Sequence, residues 1–304
     1  MRCQIREMKR ALMFAMVILA GAYAKASNDI LLIDVNNVVP EIQHIRSFLK
    51  SEQAQGRELD TKLVIVPSEK RIPMSVRQKI QNLFLQTIDP NTKYYQDHCS
   101  VSAMNSSPKL KENCERVILV SNAARDEASK LMNGTRKDGA LTIDDIKLEL
   151  AETLRGPYEF SRIFISGHHS PDGNRGFISG ELFAEFTSDV AKDLLNDVQS
   201  TRSVRSFMML GCWTGREDMM RKAWGQVIPT ASLHSGFVEE APAKINPTNL
   251  IVLDSILRNE QLIGESHSED ELRQRYSKLK VADRKVAVLV KDTYLAPTGL
   301  KRLK

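Results

Sequence analysis

Short apolar segments alternate with amphipathic segments along most of this 304-residue chain, and no other feature of the sequence constrains the fold as much. Apolar runs of four to eight residues are typical of buried strands, whereas apolar residues at intervals of three and four are typical of helices with one buried face. Buried strands separated by helices indicate a mainly parallel sheet covered on both faces. We therefore predict an α/β fold, a three-layer αβα sandwich.

The predicted elements follow one another as strand, helix, strand. Strands are predicted near residues 29–39, 62–68, 116–121, 162–166, 205–210, 230–238 and 285–295. Helices are predicted near residues 41–56, 75–88, 141–154, 186–200, 217–228, 249–264 and 268–280. A hairpin or short strand is expected at GFISGELF, residues 176–183. Thr142 and either Thr187 or Ser188 have the side chains and positions of helix N-caps.

The chain contains no internal repeat or low-complexity linker that would divide it. We predict one domain over residues 27–304, with a loop insertion near residues 93–115 and a helical C-terminal extension from about residue 248.

Residues 1–24 have the composition of a secretory signal peptide: a basic start, an apolar run and small residues suited to cleavage after Ala24 or Ala26. The apolar run has about 14 residues, whereas a membrane span needs about 20. No cysteine stands at the cleavage region to carry a lipid anchor. The mature protein is expected to be secreted or periplasmic, with no membrane anchor.

The predicted cleavage removes four basic residues and one acidic residue, so the formal net charge falls from +5 to +2. No cluster of Lys and Arg remains that would neutralise phosphates. The sequence therefore gives no support for a nucleic-acid partner.

Three cysteines remain after cleavage: Cys99, Cys114 and Cys212. Cys99 and Cys114 lie 15 residues apart in a polar segment, where an exported protein can close a surface loop with a disulfide. We predict that bond, which leaves Cys212 as the odd thiol. The alternative for Cys212 is a small buried hydrophobic residue at a strand end.

Two predicted strands end in the same way. RIFIS runs into Gly167, His168 and His169, and SFMML runs into Gly211 and Cys212. In a parallel sheet both ends lie on the same edge, where ligands bind. A neighbouring imidazole can generate and stabilise the thiolate that a cysteine nucleophile requires.

An apolar strand followed by Gly-His, and 44 residues later an apolar strand followed by Gly-Cys, resembles the caspase-hemoglobinase fold of the clan CD cysteine peptidases. This clan includes caspases, legumain, gingipains, clostripain, separase and the CHAT proteins. The block MMLGCWTG is most similar to the bacterial members of the CHAT, separase and gingipain type. The resemblance extends over about residues 30–240 in the order of elements, but only the two short blocks are specific.

The resemblance implies a cysteine endopeptidase with a Cys-His dyad and no cofactor, acting on a protein or peptide substrate. Cys212 is the nucleophile, His168 is the acid and base, and the backbone N–H groups of His169 and Cys212 form the oxyanion hole. The family usually has glycine where this chain has His169. Glycine permits backbone conformations that histidine resists. His169 therefore affects how closely a substrate backbone can approach the site.

Further residues are candidates for the substrate pocket: Asp172, Trp213 and His234. Asp172 and also Asp218 can orient His168 or receive a basic substrate side chain, although a turn residue and a first-turn helix residue are the simpler interpretations. His234 is alternatively a hydrogen-bonded loop histidine, and Trp213 and Trp224 are alternatively packing residues.

Other functions stay open for the same chain. His168, His169 and Cys212 include types of residue that bind zinc, but adjacent histidines rarely face one ion, so no metal is predicted. The rival function is a secreted, non-catalytic binding module with the caspase fold. A third possibility is a generic doubly wound domain in which Cys212 is merely buried.

Overall fold

The structure is a computed structural model that describes residues 28–35, 39–133, 142–170, 173, 176–179, 184–196, 198–239, 247–279 and 286–302. The predicted signal peptide and its cleavage sites lie outside these residues, as does Asp172. None of the described helices is long and apolar enough to cross a membrane.

Eleven strands are found within the described residues, and eight of them form one sheet. They are β1 (Asp29–Asp34), β2 (Leu63–Val66), β3 (Phe160–Ser166), β4 (His168–His169), β5 (Phe177–Ser179), β6 (Ala184–Phe186), β7 (Ser206–Leu210), β8 (Leu233–Phe237), β9 (Val286–Val290), β10 (Thr293–Ala296) and β11 (Gly299–Arg302). The order across the large sheet is β11-β10-β9-β8-β7-β3-β1-β2, and β4-β5-β6 form a small antiparallel sheet.

The five strands from β2 to β8 in this order are parallel to their neighbours, and β9, β10 and β11 continue the sheet antiparallel. The predicted mainly parallel α/β sheet is confirmed. The last predicted strand, residues 285–295, is instead two strands, because a turn at Lys291 and Asp292 reverses the chain between β9 and β10.

The helices are α1 (Val39–Ala54), α2 (Met74–Leu83), α3 (Asp89–His98), α4 (Val101–Ser106), α5 (Pro108–Asn133), α6 (Ile143–Arg155), α7 (Ser188–Leu195), α8 (Glu217–Lys222), α9 (Pro247–Gly264) and α10 (Glu269–Ser277). A π-helical turn, Phe84–Ile88, connects α2 to α3, and short 3₁₀ turns lie at Gln199–Thr201 and Trp224–Gln226. Thr142 caps α6 in a capping box and Thr187 caps α7, as the sequence predicts.

Alternating side chains of the strands enter two apolar cores, one on each face of the sheet. Leu31 and Ile33 of β1 belong to the core that contains apolar residues of α6, α7 and α8. Ile30 and Leu32 belong to the opposite core, with residues of α1, α9 and α10. Helices therefore cover both faces, and the predicted three-layer arrangement is confirmed.

The loop insertion predicted near residues 93–115 is wrong in conformation, because this segment is mostly helical and contains α4 and parts of α3 and α5. The strand predicted at residues 116–121 is also wrong, since these residues belong to α5. The inward face of α5 carries small residues such as Ala124 and Ala128, whereas Ile118, Leu119 and Val120 are 42%, 69% and 41% exposed. The four-residue apolar run VILV does not distinguish a strand from one stretch of a helix.

The predicted disulfide between Cys99 and Cys114 is present and lies within this helical insertion. The sulfurs of Cys99 and Cys114 are 1.94 Å apart and their Cα atoms 5.9 Å apart. Cys99 lies at the C-terminal end of α3 and Cys114 on the buried face of α5. Among the described cysteines, Cys212 is the one outside a disulfide.

Candidate active site

The ends of β3 and β7 form the centre of the candidate site. The two strands are parallel neighbours, and Ser166 of β3 pairs with Leu210 of β7 as the last pair in the register. His168 and Cys212 each follow two residues later. Because neighbouring strands lie about 4.8 Å apart, the chain delivers both residues to the same edge of the sheet.

The two adjacent histidines have different environments. His169 is 3% exposed, and its Nε2 accepts a hydrogen bond of 2.8 Å from Trp224 Nε1. Its ring also contacts the rings of Phe177 and Trp224 edge to face. An indole N–H only donates, so Nε2 of His169 is the acceptor of this bond. His169 is therefore a core residue of this edge.

His168 is exposed, and its pairing with Ile178 in the small sheet fixes its backbone. Its ring lies 5.8 Å from the ring of Phe84, with an angle of 33° between the planes. Of the two histidines, His168 is accessible from solvent for proton transfer.

The chain after β7 turns sharply at Cys212. Gly211 lies so close to the small sheet that a Cβ atom there would be 2.6 Å from the Phe177 ring and 2.8 Å from His169 Cβ. Trp213 has a φ of 57°, in the left-handed region that is uncommon for bulky residues. Cys212 is half-buried within this turn.

Backbone bonds to the end of β8 hold the turn in place. Trp213 N donates to Glu239 O at 2.9 Å, and Gly215 N donates to Phe237 O at 2.7 Å. A Cβ atom on Gly215 would be only 2.1 Å from Gly236 O, so the two chains approach as closely as glycine allows. The conformation of the cysteine turn is consequently set by β8 as well as by β7.

Thr214 is the internal brace of the turn. Its side chain is fully buried, and Oγ1 lies 3.0 Å from Met209 O and 2.9 Å from Gly211 O. The same oxygen accepts a bond of 3.3 Å from Phe237 N. Outside the turn, the Tyr294 hydroxyl donates to Gly215 O at 2.9 Å, which connects the C-terminal hairpin to the site.

Buried polar groups lie under the neighbouring strand ends. Asp34, at the end of β1, forms a fully buried ion pair with Arg77 of α2. Arg77 also donates to Pro67 O at 2.5 Å and Ile72 O at 3.2 Å. These bonds hold the beginning of α2 against the carboxyl edge of the sheet.

Ser166, which pairs with Asp34 in the register, has its own buried partner: its hydroxyl donates to the carboxylate of Glu41 in the first turn of α1. Glu41 is 5% exposed. A buried hydrogen bond to α1 therefore fixes the last residue of β3, directly before Gly167 and His168.

The prediction that His234 lines a substrate pocket needs correction. His234 lies near the beginning of β8, opposite Phe207, and is 4% exposed. Its Nε2 is 3.0 Å from Ile228 O, and burial lowers its pKa to about 4. The strand continues for three residues to Phe237, so His234 does not reach the edge that contains Cys212.

The remaining predicted residues have simpler positions. Trp213 is half-buried in the cysteine turn itself, next to Cys212. Asp218 lies in the first turn of α8 and pairs with Arg216 on the surface, at 3.2 Å. Trp224 is fully buried, in agreement with the packing role predicted for it.

Sequence reasoning did not identify three residues that shape this site: Phe84, Thr214 and Tyr294. Thr214 lies inside the block CWTG directly after a strand, which is a usable signal, because small polar residues commonly brace turns. Phe84 and Tyr294 are distant in sequence from both strand ends and carry no local signal.

Comparison with known proteins gives a similar solved structure, a secreted C11 cysteine protease from Bacteroides thetaiotaomicron in complex with an irreversible peptide inhibitor. The two chains share 7% sequence identity over 87% of this chain and 66% of the other, with a TM-score of 0.41. This chain thus spans slightly less than two thirds of that protease. No protein-family model matches the sequence, and no curated protein is significantly similar to it. Similarity at this level is too low to assign a function.

Proposed function

We propose that the protein is an exported, caspase-like cysteine endopeptidase that hydrolyses peptide bonds with Cys212 and His168. The observation that carries the proposal is the equivalent position of the two residues, each two residues beyond the last register pair of the parallel strands β3 and β7. A nucleophile and its base must be within reach of each other, and adjacent strand ends provide this.

The reaction proposed is acyl transfer in two stages. In the first, the Cys212 thiolate attacks the peptide carbonyl, the C–N bond breaks, and the His168 imidazolium gives its proton to the departing amine. In the second, His168 takes a proton from water, whose oxygen attacks the thioester carbonyl, and the C–S bond breaks. The products are a carboxylic acid and the regenerated thiol.

The oxyanion of each tetrahedral intermediate is proposed to bind the backbone N–H groups of His169 and Cys212. Their rigidity supports this role, since the His169 side chain is anchored to Trp224 and the Cys212 turn to β8. Fixed donors stabilise developing charge without reorganising during the reaction, and losing one typically slows an enzyme by about 10²–10³.

The different environments of the two histidines support His168 as the acid and base. A general acid has to present a protonated nitrogen to the leaving group, and Nε2 of His169 already accepts the Trp224 N–H. A histidine is compatible with the position where the family has glycine. The His169 side chain is buried against Trp224, so its backbone alone is at the edge of the site.

Within the clan, the block MMLGCWTG supports a bacterial member of the CHAT, separase and gingipain type. The signal peptide predicted over residues 1–24 supports a secreted or periplasmic location. A protein or peptide is the proposed substrate, and no cofactor is required for the chemistry described.

Hydrolysis of a fluorogenic peptide panel by the mature protein tests this function. The panel carries Arg, Lys, Asp or Asn before the cleaved bond, and the assay uses mild reductant. Wild type, Cys212→Ala and His168→Ala are compared with His267→Ala, which changes an exposed histidine two residues before α10. We expect cleavage by wild type and the His267 variant only. Equal cleavage by the Cys212 variant would refute the proposal, and no cleavage by any protein would favour a binding module.

A further inference from the structure

The π-helical turn Phe84–Ile88 interrupts what is otherwise a continuous helix from α2 to α3. Asp89 N donates to Phe84 O, five residues back, whereas Phe84 N still bonds to Ile80 O in the ordinary α-helical pattern. The wide turn therefore begins at Phe84. Single π turns inside helices are frequent at functional sites.

The buried stripe of α2 directs Phe84 toward the site. Arg77, Ile80 and Gln81 are buried, and Phe84 follows Arg77 by seven residues, which is two helical turns on the same face. Arg77 is tied to Asp34 at the end of β1, beside β3. Phe84 thus lies about 10 Å along the helix from an anchored point on the carboxyl edge of the sheet.

At this position the Phe84 ring lies 5.8 Å from the His168 ring with an angle of 33° between the planes. This separation is within the 4.5–7 Å range of favourable aromatic pairs. His168 is exposed and Phe84 is half-buried, so the phenyl ring is a partly buried neighbour of an imidazole that reaches solvent.

We infer that Phe84 is a positioning residue for His168: its ring restricts the imidazole to the orientation that serves Cys212 and shields the protonated ring on one side. The inference rests on the proposed function, and it adds a residue from the π turn between α2 and α3 to the surroundings of the dyad. An aromatic face also attracts a cation placed over it. The imidazolium of His168 is the form that has to protonate the leaving amine, and its ring lies 5.8 Å from the phenyl ring.

Four proteins test this inference: wild type, Phe84→Leu, Phe84→Tyr and Leu83→Ala. Phe84→Leu keeps apolar volume without the ring, and Phe84→Tyr restores the ring. Leu83→Ala is the matched structural control, because Leu83 packs on a separate small cluster with Ile72, Ile80 and Met132. It removes apolar packing next to Phe84 and keeps the phenyl ring.

We expect Phe84→Leu to reduce kcat by about three- to tenfold, with KM nearly unchanged, and Phe84→Tyr to recover most of it. Leu83→Ala is expected to lower Tm while kcat stays near the wild-type value. A kcat of Phe84→Leu equal to wild type, or an equal loss of kcat in Leu83→Ala, would overturn the inference.

A second measurement separates this inference from the proposed function. In the Cys212→Ala background, the NMR resonance of the His168 ring proton, assigned with His168→Gln, reports the neighbouring phenyl ring without any hydrolysis. We expect its ring-current shift to disappear in Phe84→Leu and to persist in Phe84→Tyr. An unchanged resonance in Phe84→Leu refutes the contact, whereas hydrolysis that survives Cys212→Ala refutes the peptidase.

Discussion

His168 and His169 are neighbours in sequence and differ in burial and in the side chains that they contact. One is exposed at a strand end, and the other accepts a hydrogen bond from a buried tryptophan. The pattern strand-Gly-His-His does not by itself tell which histidine faces solvent. The answer comes from Trp224, 55 residues away, whose indole N–H fixes His169 inside the protein.

Replacing Trp224 by Phe tests this role of His169. The variant leaves Nε2 of His169 buried without its donor, and such a loss costs about 1–3 kcal/mol. We expect urea denaturation followed by circular dichroism to show that decrease in the free energy of unfolding. Trp213→Phe, at the half-buried turn, is the control and should lose much less. Equal losses in the two variants would contradict the structural role.

His234 predicts how stability depends on pH. Burial lowers its pKa from 6.5 to about 4, so the unfolded chain binds a proton more readily than the folded protein does. The stabilisation is complete above pH 6.5 and decreases as the pH falls toward 4. A shift of this size corresponds to about 3 kcal/mol over that interval.

We expect the free energy of unfolding to fall between pH 7 and pH 5, and the fall to be smaller in His234→Gln. Urea titrations at both pH values measure the two slopes. Identical slopes in wild type and variant would show that another group governs the pH dependence.

At the scale of elements, the disulfide joins the end of α3 to α5 within the helical insertion near residues 93–115. Cys99 and Cys114 close a 15-residue loop that contains α4 and its flanking turns. In the chain-entropy model such a bond stabilises by about 3 kcal/mol. Replacing both cysteines by Ser should therefore loosen α3, α4 and α5 first.

Hydrogen exchange monitored by mass spectrometry measures this local effect. We expect faster exchange in residues 89–133 of the double variant, with little change in β1, β3 and β7. Uniform acceleration across the chain would mean that the disulfide stabilises the whole fold instead of the insertion.

The elements that sequence reasoning predicted correctly are those whose local pattern and tertiary environment agree. β3 and β7 each contain a short apolar run and are followed directly by glycine, and α6 has its own capping box. Residues 116–121 have the apolar pattern of a strand but form the outer face of α5. There the packing of small residues on the inner face decides the structure, and no local pattern reports it.

The same limit applies to the candidate site. His168 and Cys212 were predictable because each follows a strand end marked by glycine. His234 was misplaced because it is the second residue of β8, three residues before the strand ends at Phe237, whereas a pocket residue at the carboxyl edge would lie beyond that end. Phe84 reaches the site through a π turn, and the helical period of the sequence gives no sign of it.

At the scale of the whole molecule, elements on both sides of β3 and β7 support the candidate site at the carboxyl edge of the sheet. On one side α2, anchored through Arg77 to Asp34, brings Phe84 to His168. On the other side β8 and the Tyr294 hydroxyl hold the turn that follows Cys212. The C-terminal region is therefore part of the support for the site. The division into a signal peptide over residues 1–24 and one domain from residue 27 stays a prediction.

The rate at which iodoacetamide alkylates Cys212 in the native mature protein tests the central claim most directly. The other two cysteines of the predicted mature chain are joined in a disulfide, so intact mass reports Cys212 alone. If His168 stabilises the thiolate, alkylation near neutral pH should be fast and should slow about tenfold or more in His168→Ala, while His267→Ala reacts like wild type. Equal rates in wild type and His168→Ala would contradict a Cys212–His168 dyad.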